Sequence, residues 1–341
     1  MLASALATLA LAAGLAPAWA GDDFLALVRK AGSRQEPEER VEYFARAIAA
    51  WTPSHGPGLL AACYFGRGEA RYDAGDFARA LPDLAQALEG DLNNARALFL
   101  RGRILLHQTL MAEEPSTRRA ADAARALEEY AALRPEDAEG LLALGRAQIL
   151  AGRAAEARAS FERARRLEPS DPRPELGLGR AWLAERSLSR ARESLDAAEA
   201  LARGRDADVL TERARCRLAH GDELGARADY DRALPRHEEL LQDLARGRAR
   251  PVDIDERQAE AGRAYYGRGR LREARGEAAG ARADYEAGCR HGEPRCCRRV
   301  QSLSAPPPPE PRPAPAKPPK KPRRRALPSP SSDPGDRIYG S

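Results

Sequence analysis

The chain has 341 residues, of which 31% are charged and only 5% aromatic, and its formal net charge is +5. This aromatic-poor, Ala- and Arg-rich composition suits helices and disfavours an all-β fold, and the dispersed charge excludes a protein with many membrane-spanning helices. Residues 305–341 hold eight basic and three acidic residues, which accounts for the whole net positive charge. The rest of the chain is neutral, so its charge implies no specific nucleic-acid binding.

The first element is an apolar N-terminal segment. Residues 1–20 end in Ala18-Trp19-Ala20, and an apolar run closed by small residues is typical of a secretory signal peptide. No Lys or Arg precedes the run, so an uncleaved membrane anchor is the alternative. We expect an exported protein, periplasmic or secreted, whose mature chain starts at Gly21.

A repeat of 34 residues dominates the middle of the chain. In the copy that begins at Ala138, large apolar residues stand at positions 4 and 7 and Gly at positions 8 and 15. Ala follows at positions 20 and 27, an aromatic residue at 24 and Pro at 32. Further copies begin at Ala61, Ala95, Pro172, Ala207 and Gly262. The copy at Ala95 carries nine extra residues, around Met111 to Arg119, between its two predicted helices.

This pattern resembles the tetratricopeptide repeat. The resemblance implies an all-α fold, a right-handed α-solenoid of antiparallel helix pairs. Small residues at positions 8, 20 and 27 would let backbones approach closely, while bulky residues at 4, 7, 11 and 24 fill the space beside them. Because one pair cannot bury its apolar stripe alone, the stacked pairs are expected to share a continuous core.

Two segments flank or interrupt this array. Residues 21–60 fit the repeat loosely and are interpreted as a degenerate, capping helix pair before the array over 61–235. Residues 236–261 have no register and are interpreted as an irregular helical insert. They would extend the preceding helix, form one added helix, or break the array in two. Residues 262–304 would then hold the last repeat and a Cys-containing cap.

Five cysteines suggest an oxidised cap at the end of the array. They are Cys63, Cys216, Cys289, Cys296 and Cys297. The spacing of Cys289 and Cys297 is similar to that of the Cys pairs in exported Sel1-like repeat proteins, which implies a structural disulfide. Alternatively Cys289, His291, Cys296 and Cys297 would bind a metal, although adjacent cysteines rarely both reach one tetrahedral ion. Cys63 and Cys216 are interpreted as small core residues.

The C-terminal segment 305–341 is rich in proline and basic residues. It holds thirteen of the 26 prolines and the basic run from Lys320 to Arg325. Proline removes backbone donors and fixes φ, so the composition predicts an extended, disordered tail. The tail would lie near anionic envelope polymers or a membrane surface, or act as a solvated spacer.

Catalytic sequence patterns are missing from the chain. The five histidines form no HExxH motif, and neither a GxSxG elbow nor a Walker lysine motif occurs. We therefore expect no enzyme, no cofactor and no metal.

The family resemblance also implies where a ligand would bind. In that family the first helix of each repeat lines a concave groove through positions 2, 5, 9 and 12. Position 9 is Arg in five of six copies, as Arg103, Arg146, Arg180, Arg215 and Arg270, whereas the copy at Ala61 has Glu69. Such a row would receive an acidic peptide through bidentate hydrogen bonds, and Phe99, Leu142 and Tyr266 would grip its apolar side chains.

Arginine is so frequent that this row could also arise from composition alone. Position 21, on the second helix and away from the groove, repeats Arg as well: Arg158, Arg192, Arg227 and Arg282. The expected function is an exported scaffold that binds a partner protein or peptide in the groove. The alternatives are an envelope tether that uses the basic tail, or a non-catalytic accessory subunit of an envelope enzyme.

Overall fold

A computed structural model describes residues 23–304 except 113, 115, 248 and 249. The predicted signal peptide and the predicted Pro-rich tail lie outside these residues. The described residues form fifteen α-helices and no strand: α1 Phe24–Ser33, α2 Pro37–Ala50, α3 Pro57–Asp73, α4 Phe77–Gly90, α5 Ala95–Leu110, α6 Thr117–Leu133, α7 Ala138–Leu150, α8 Ala154–Leu167, α9 Pro172–Ala184, α10 Leu188–Ala202, α11 Ala207–Ala219, α12 Glu223–Arg246, α13 Pro251–Ala274, α14 Ala278–Arg290 and α15 Pro294–Ser304.

Consecutive helices pair along the chain and each pair packs on the next. Helices α5, α7, α9 and α11 begin at the first residue of their repeat copies. Helices α1 and α2 form a further pair before the first copy, and α15 packs on α14 at the other end. The all-α solenoid predicted from the periodicity is therefore confirmed.

The turn within each helix pair explains the glycine at position 15. Gly75, Gly152, Gly221 and Gly276 all have φ between 76° and 82°, a conformation that costs glycine little and other residues more. The copy at Pro172 has Arg186 there, and Arg186 keeps a left-handed φ of 58°. The repeat geometry is thus retained even where the favourable residue is missing.

One bulky side chain at position 24 fills the space between neighbouring first helices. The ring of Phe161 is buried, and a Cβ added at Gly145 would lie 2.5 Å from its Cζ atom. A Cβ at Gly177, in the next repeat, would lie 2.4 Å from the same ring. Phe161 therefore packs against glycines of two successive repeats, and neither position has room for a side chain.

Positions 7, 11 and 23 carry a buried ionic bridge in three repeats. Asp229 is 1% exposed; it accepts hydrogen bonds from Arg213 at 2.8 and 2.7 Å and from Arg217 at 2.8 Å. The same bridge joins Asp83 to Arg67 and Arg71, and Asp284 to Arg268 and Arg272. The bulky residues at positions 7 and 11 are therefore arginines in these three copies, and their charges pair inside the repeat.

The two irregular segments lengthen helices. Helix α12 continues to Arg246 and α13 begins at Pro251, so both have 24 residues; the segment 236–261 is divided between them.

The nine extra residues near Met111 do not form a nine-residue loop, since α5 ends at Leu110 and α6 begins at Thr117.

The cap contains a disulfide between Cys289 and Cys297, whose Cα atoms lie 4.7 Å apart. Because both thiols are used in this bond, they are not available to the metal site considered as an alternative. Cys63, Cys216 and Cys296 are free and buried, and burial raises the pKa of Cys63 to about 11 and of Cys296 to about 12.

Gly145→Leu is expected to lower the free energy of unfolding by at least ~1–3 kcal/mol, because the new side chain overlaps the ring of Phe161. Gly58→Leu is the matched control, since Gly58 lies in α3 with open space around it. Thermal and urea unfolding measure both variants. An unchanged midpoint for Gly145→Leu would contradict this packing.

Asp229→Ala is expected to destabilise the α11–α12 pair by about 3 kcal/mol, because it leaves two arginines partly buried without their carboxylate. Asp243→Ala is the control, since Asp243 is exposed and its ion pair within the described part of the chain is with Arg246 of the same helix. Hydrogen exchange should rise in α11 and α12 for the first variant and stay unchanged for the second. Equal exchange in the two variants would show that the bridge contributes nothing.

Candidate functional site

The arginines at position 9 form a row along the first helices of successive repeats, and their exposure changes along it. The side chains of Arg103, Arg146 and Arg180 are 11%, 28% and 17% exposed, whereas that of Arg215 is 50% exposed. Arg270 is exposed as well. The first half of the row is therefore covered and the second half is open.

The cover is the N-terminal part of α13, residues 251–261, which we call the guest segment. Glu256 lies between two arginines of the row, 3.4 Å from Arg103 and 3.1 Å from Arg146. Glu260, one helical turn later, lies 3.2 Å from Arg180. The arginine row was expected to bind carboxylates of a partner. In the first half of the row, carboxylates of the same chain lie in that place.

Further contacts hold the two ends of the guest segment. Pro251 lies beside Gly75 in the α3–α4 turn. At the other end Arg257 donates to Asp208 of α11 at 2.7 Å. The guest segment therefore crosses the first helices from α3 to α11.

Electrostatics keeps the guest carboxylates ionised. Burial raises the pKa of Glu256, but Arg146 and Arg103 outweigh it and hold the pKa below its usual range. Arg180 and Arg263 do the same for the pKa of Glu260. The fixed negative charges neutralise this half of the row at neutral pH.

A cavity of about 1000 Å³ lies beside the open half of the row. Seven arginines and three glutamates line it: Arg146, Arg180, Arg215, Arg263, Arg270, Arg295, Arg298, Glu212, Glu223 and Glu293. Arg215 pairs with the buried Glu212, whereas Arg270 has no carboxylate within 4 Å among the described residues. One wall is apolar and comes from the ends of the first helices, through Ile149, Leu183 and Leu218. The cavity is therefore positively charged on one side and apolar on the other.

A second cavity, of about 360 Å³, lies between the guest segment and the array. Arg103, Arg146 and Arg180 line it together with Glu256 and Glu260. It is a smaller space that the guest segment borders.

The three apolar residues predicted for the groove have different positions. Leu142 lines the smaller cavity and Tyr266 the larger one. Phe99 lines neither, and its ring packs against Tyr130 at 5.0 Å between centroids. The structure thus brings Tyr266 together with the exposed arginines and leaves Phe99 half-buried against two apolar clusters of the array.

The arginines at position 21 behave differently from the row at position 9. Arg158 lies over the Trp182 ring at 4.0 Å, and Arg227 and Arg282 pair with Glu277 and Glu286 at 3.1 and 2.8 Å. Two of these contacts join a second helix to the next repeat, and the third lies within one helix. None of the position-21 arginines lines either cavity, whereas the position-9 row lines both.

Sequence reasoning missed several residues of the site. Arg263, Arg295 and Arg298 line the larger cavity, and Glu212 and the guest carboxylates balance the row. The one sequence signal was the acidic stretch from Asp253 to Glu260 within the segment without register.

Metal ligands and membrane spans were sought among the described residues. No group of three or more His, Cys, Asp or Glu side chains there has an arrangement that would hold a metal ion. None of the helices in the described part of the chain is long and apolar enough to span a bilayer.

Comparisons with known proteins agree with this architecture. A tetratricopeptide repeat family model matches residues 65–115 and 116–172. A tetratricopeptide repeat protein from Parabacteroides merdae superposes with a TM-score of 0.62 at 16% identity, over 82% of this chain and 97% of that one. A chain of the APC/C hetero-tetramer Cut9-Hcn1 superposes with a TM-score of 0.52 at 13% identity, over 82% of this chain and 48% of its own. No curated protein has a matching sequence.

The matched repeat model and the fold of these neighbours agree with the stacked helix pairs. Residues 65–172 carry tetratricopeptide repeats, and the described residues have the fold of a tetratricopeptide repeat solenoid.

Proposed function

We propose that this protein is an interaction scaffold that binds an acidic segment of a partner protein in the open half of its groove. The observation that carries the proposal is the larger cavity, where Arg215 and Arg270 are exposed beside an apolar wall. Guanidinium groups bind carboxylates bidentately, and the wall would take the apolar side chains of the same segment. The tetratricopeptide repeat fold is consistent with such a role.

The proposal includes export to the periplasm or beyond the cell. Its support is the pattern of residues 1–20 together with the cap disulfide, since disulfides persist in oxidising compartments. The basic tail over 305–341 supports a second role as an envelope tether. Deleting 305–341 separates the two roles, because a tether would lose its location while a groove binder would keep its partner.

Peptides selected from a random library on the mature protein are expected to be rich in Asp and Glu with Leu or Phe between them. The double variant Arg215→Glu/Arg270→Glu should weaken the selected peptide at least about 100-fold, because two charge-assisted contacts become repulsive. Isothermal titration calorimetry measures the affinities, and rising salt should weaken the wild-type complex.

Arg192→Glu/Arg282→Glu is the matched control, since it reverses the same charge on exposed arginines of the second helices. This variant should keep the wild-type affinity. A selection without acidic enrichment, or equal loss in both double variants, would contradict binding in the open half of the groove.

A further inference from the structure

The guest segment has the chemistry of a ligand. Glu256 and Glu260 are four residues apart, so they lie on one face of the helix, one turn from each other. Glu256 meets Arg103 and Arg146, and Glu260 meets Arg180. Two carboxylates at helical spacing thus match position-9 arginines of three successive repeats.

The guest segment is held mainly through polar contacts. Ile254 is half-buried and joins none of the apolar clusters formed by the described residues. Asp253 lies 3.6 Å from Arg103 and Asp255 lies 3.5 Å from His107. Contacts of this kind depend on geometry, because removing one partner leaves the other polar group buried without a counterpart.

This polar interface is also incompletely satisfied. Several buried side-chain atoms under or beside the guest segment have no hydrogen-bond partner among the described residues: Arg103 Nε, His107 Nδ1, Asp208 Oδ1, His237 Nδ1 and Glu260 Oε2. Unpaired buried polar atoms disfavour the state that contains them. The guest segment therefore fits the arginine row in charge, but not every buried polar atom around it is paired with another atom of the described residues.

We propose that the guest segment is an internal mimic of a second partner, and that the face made by Arg103, Arg146 and Arg180 docks an acidic helix with carboxylates four residues apart. This inference rests on the proposed scaffold function but concerns the covered half of the groove. The partner helix takes the place of residues 251–261, whose ion pairs it repeats. The covered half is thus available only when the guest segment is released.

The test uses the full mature chain and a fluorescent peptide with the sequence of residues 250–262. The variant Glu256→Gln/Glu260→Gln removes the guest charges without changing side-chain size. It should bind the peptide about tenfold or more tightly than the wild type does, because the guest no longer competes. The same peptide with Gln at both positions should bind neither protein.

Glu129→Gln/Glu193→Gln is the matched control, since both residues are exposed on second helices away from the groove. It should bind the peptide as weakly as the wild type does. Circular dichroism verifies that the variants fold. A folded Glu256→Gln/Glu260→Gln variant that binds no more tightly than the wild type would overturn the proposal, and so would equal binding of the Gln peptide.

A second measurement uses the wild-type chain, so it does not depend on how the variant folds. Hydrogen exchange of a carbon-13-labelled chain is followed with and without excess unlabelled peptide. Amides of the guest segment should exchange faster with peptide present, while those of α7 stay protected. Unchanged exchange would identify the guest segment as a fixed strut and refute the proposal.

Two controls distinguish binding to the covered face from binding in the open half and from self-association. Peptide binding should be unaffected in Arg270→Glu, because Arg270 is exposed and lines the larger cavity but not the smaller one. Failure of the open-half site and failure of this one are therefore distinguishable. Light scattering reports the oligomeric state. A wild-type dimer that the peptide dissociates would assign the covered face to a second copy of the chain and overturn the proposal of a separate partner.

Discussion

Close backbone approach at glycine positions is the constraint on which the whole array depends. Phe161 contacts Gly145 in its own repeat and Gly177 in the next, so one ring sets the spacing within a repeat and between repeats. Leu195 packs in the same way against Gly179. Because this spacing is fixed, the position-9 side chains of successive repeats fall into a row, and the groove exists as a consequence of packing.

Arginine has two separate uses in this framework. Inside three repeats it bridges the two helices through a buried Asp, and Arg217 also donates to the carbonyl of Gly225 at 3.1 Å. In the copy at Ala138 the neutral pair of Gln148 and Ser160 bridges the helices instead, at 2.8 Å. The bridge therefore needs polar complementarity and not charge, whereas the row at position 9 presents guanidinium groups of successive repeats to the two cavities. Because arginine is frequent throughout the chain, composition alone does not reveal this difference. It depends on the face of the helix on which each arginine lies.

Periodicity predicted the fold because it reflects local geometry. The left-handed turns and the contacts of glycines such as Gly145 and Gly177 depend mostly on residues within one or two repeats. Helices begin at Ala95, Ala138 and Pro172, the first residues of three predicted copies. The site was only partly predictable. The partner of Arg146 is Glu256, 110 residues away in sequence, and the insert that carries it has no register to place it. Phe99 stands at position 5 of its repeat, which predicts a groove residue. Its half-buried ring instead packs against Tyr130 and lines neither cavity.

The guest segment changes which ligand the arginine row predicts. A row of five arginines suggests a long anionic ligand. The ionised Glu256 and Glu260, together with the buried Glu212, already pair with Arg103, Arg146 and Arg180. The unbalanced charge lies at the other end, around the exposed Arg270 and the cap. A short acidic segment is therefore sufficient to fill the open half, and a longer one gains contacts only by displacing the guest segment. Length and charge spacing of the ligand, rather than total negative charge, would then determine how much of the groove it occupies.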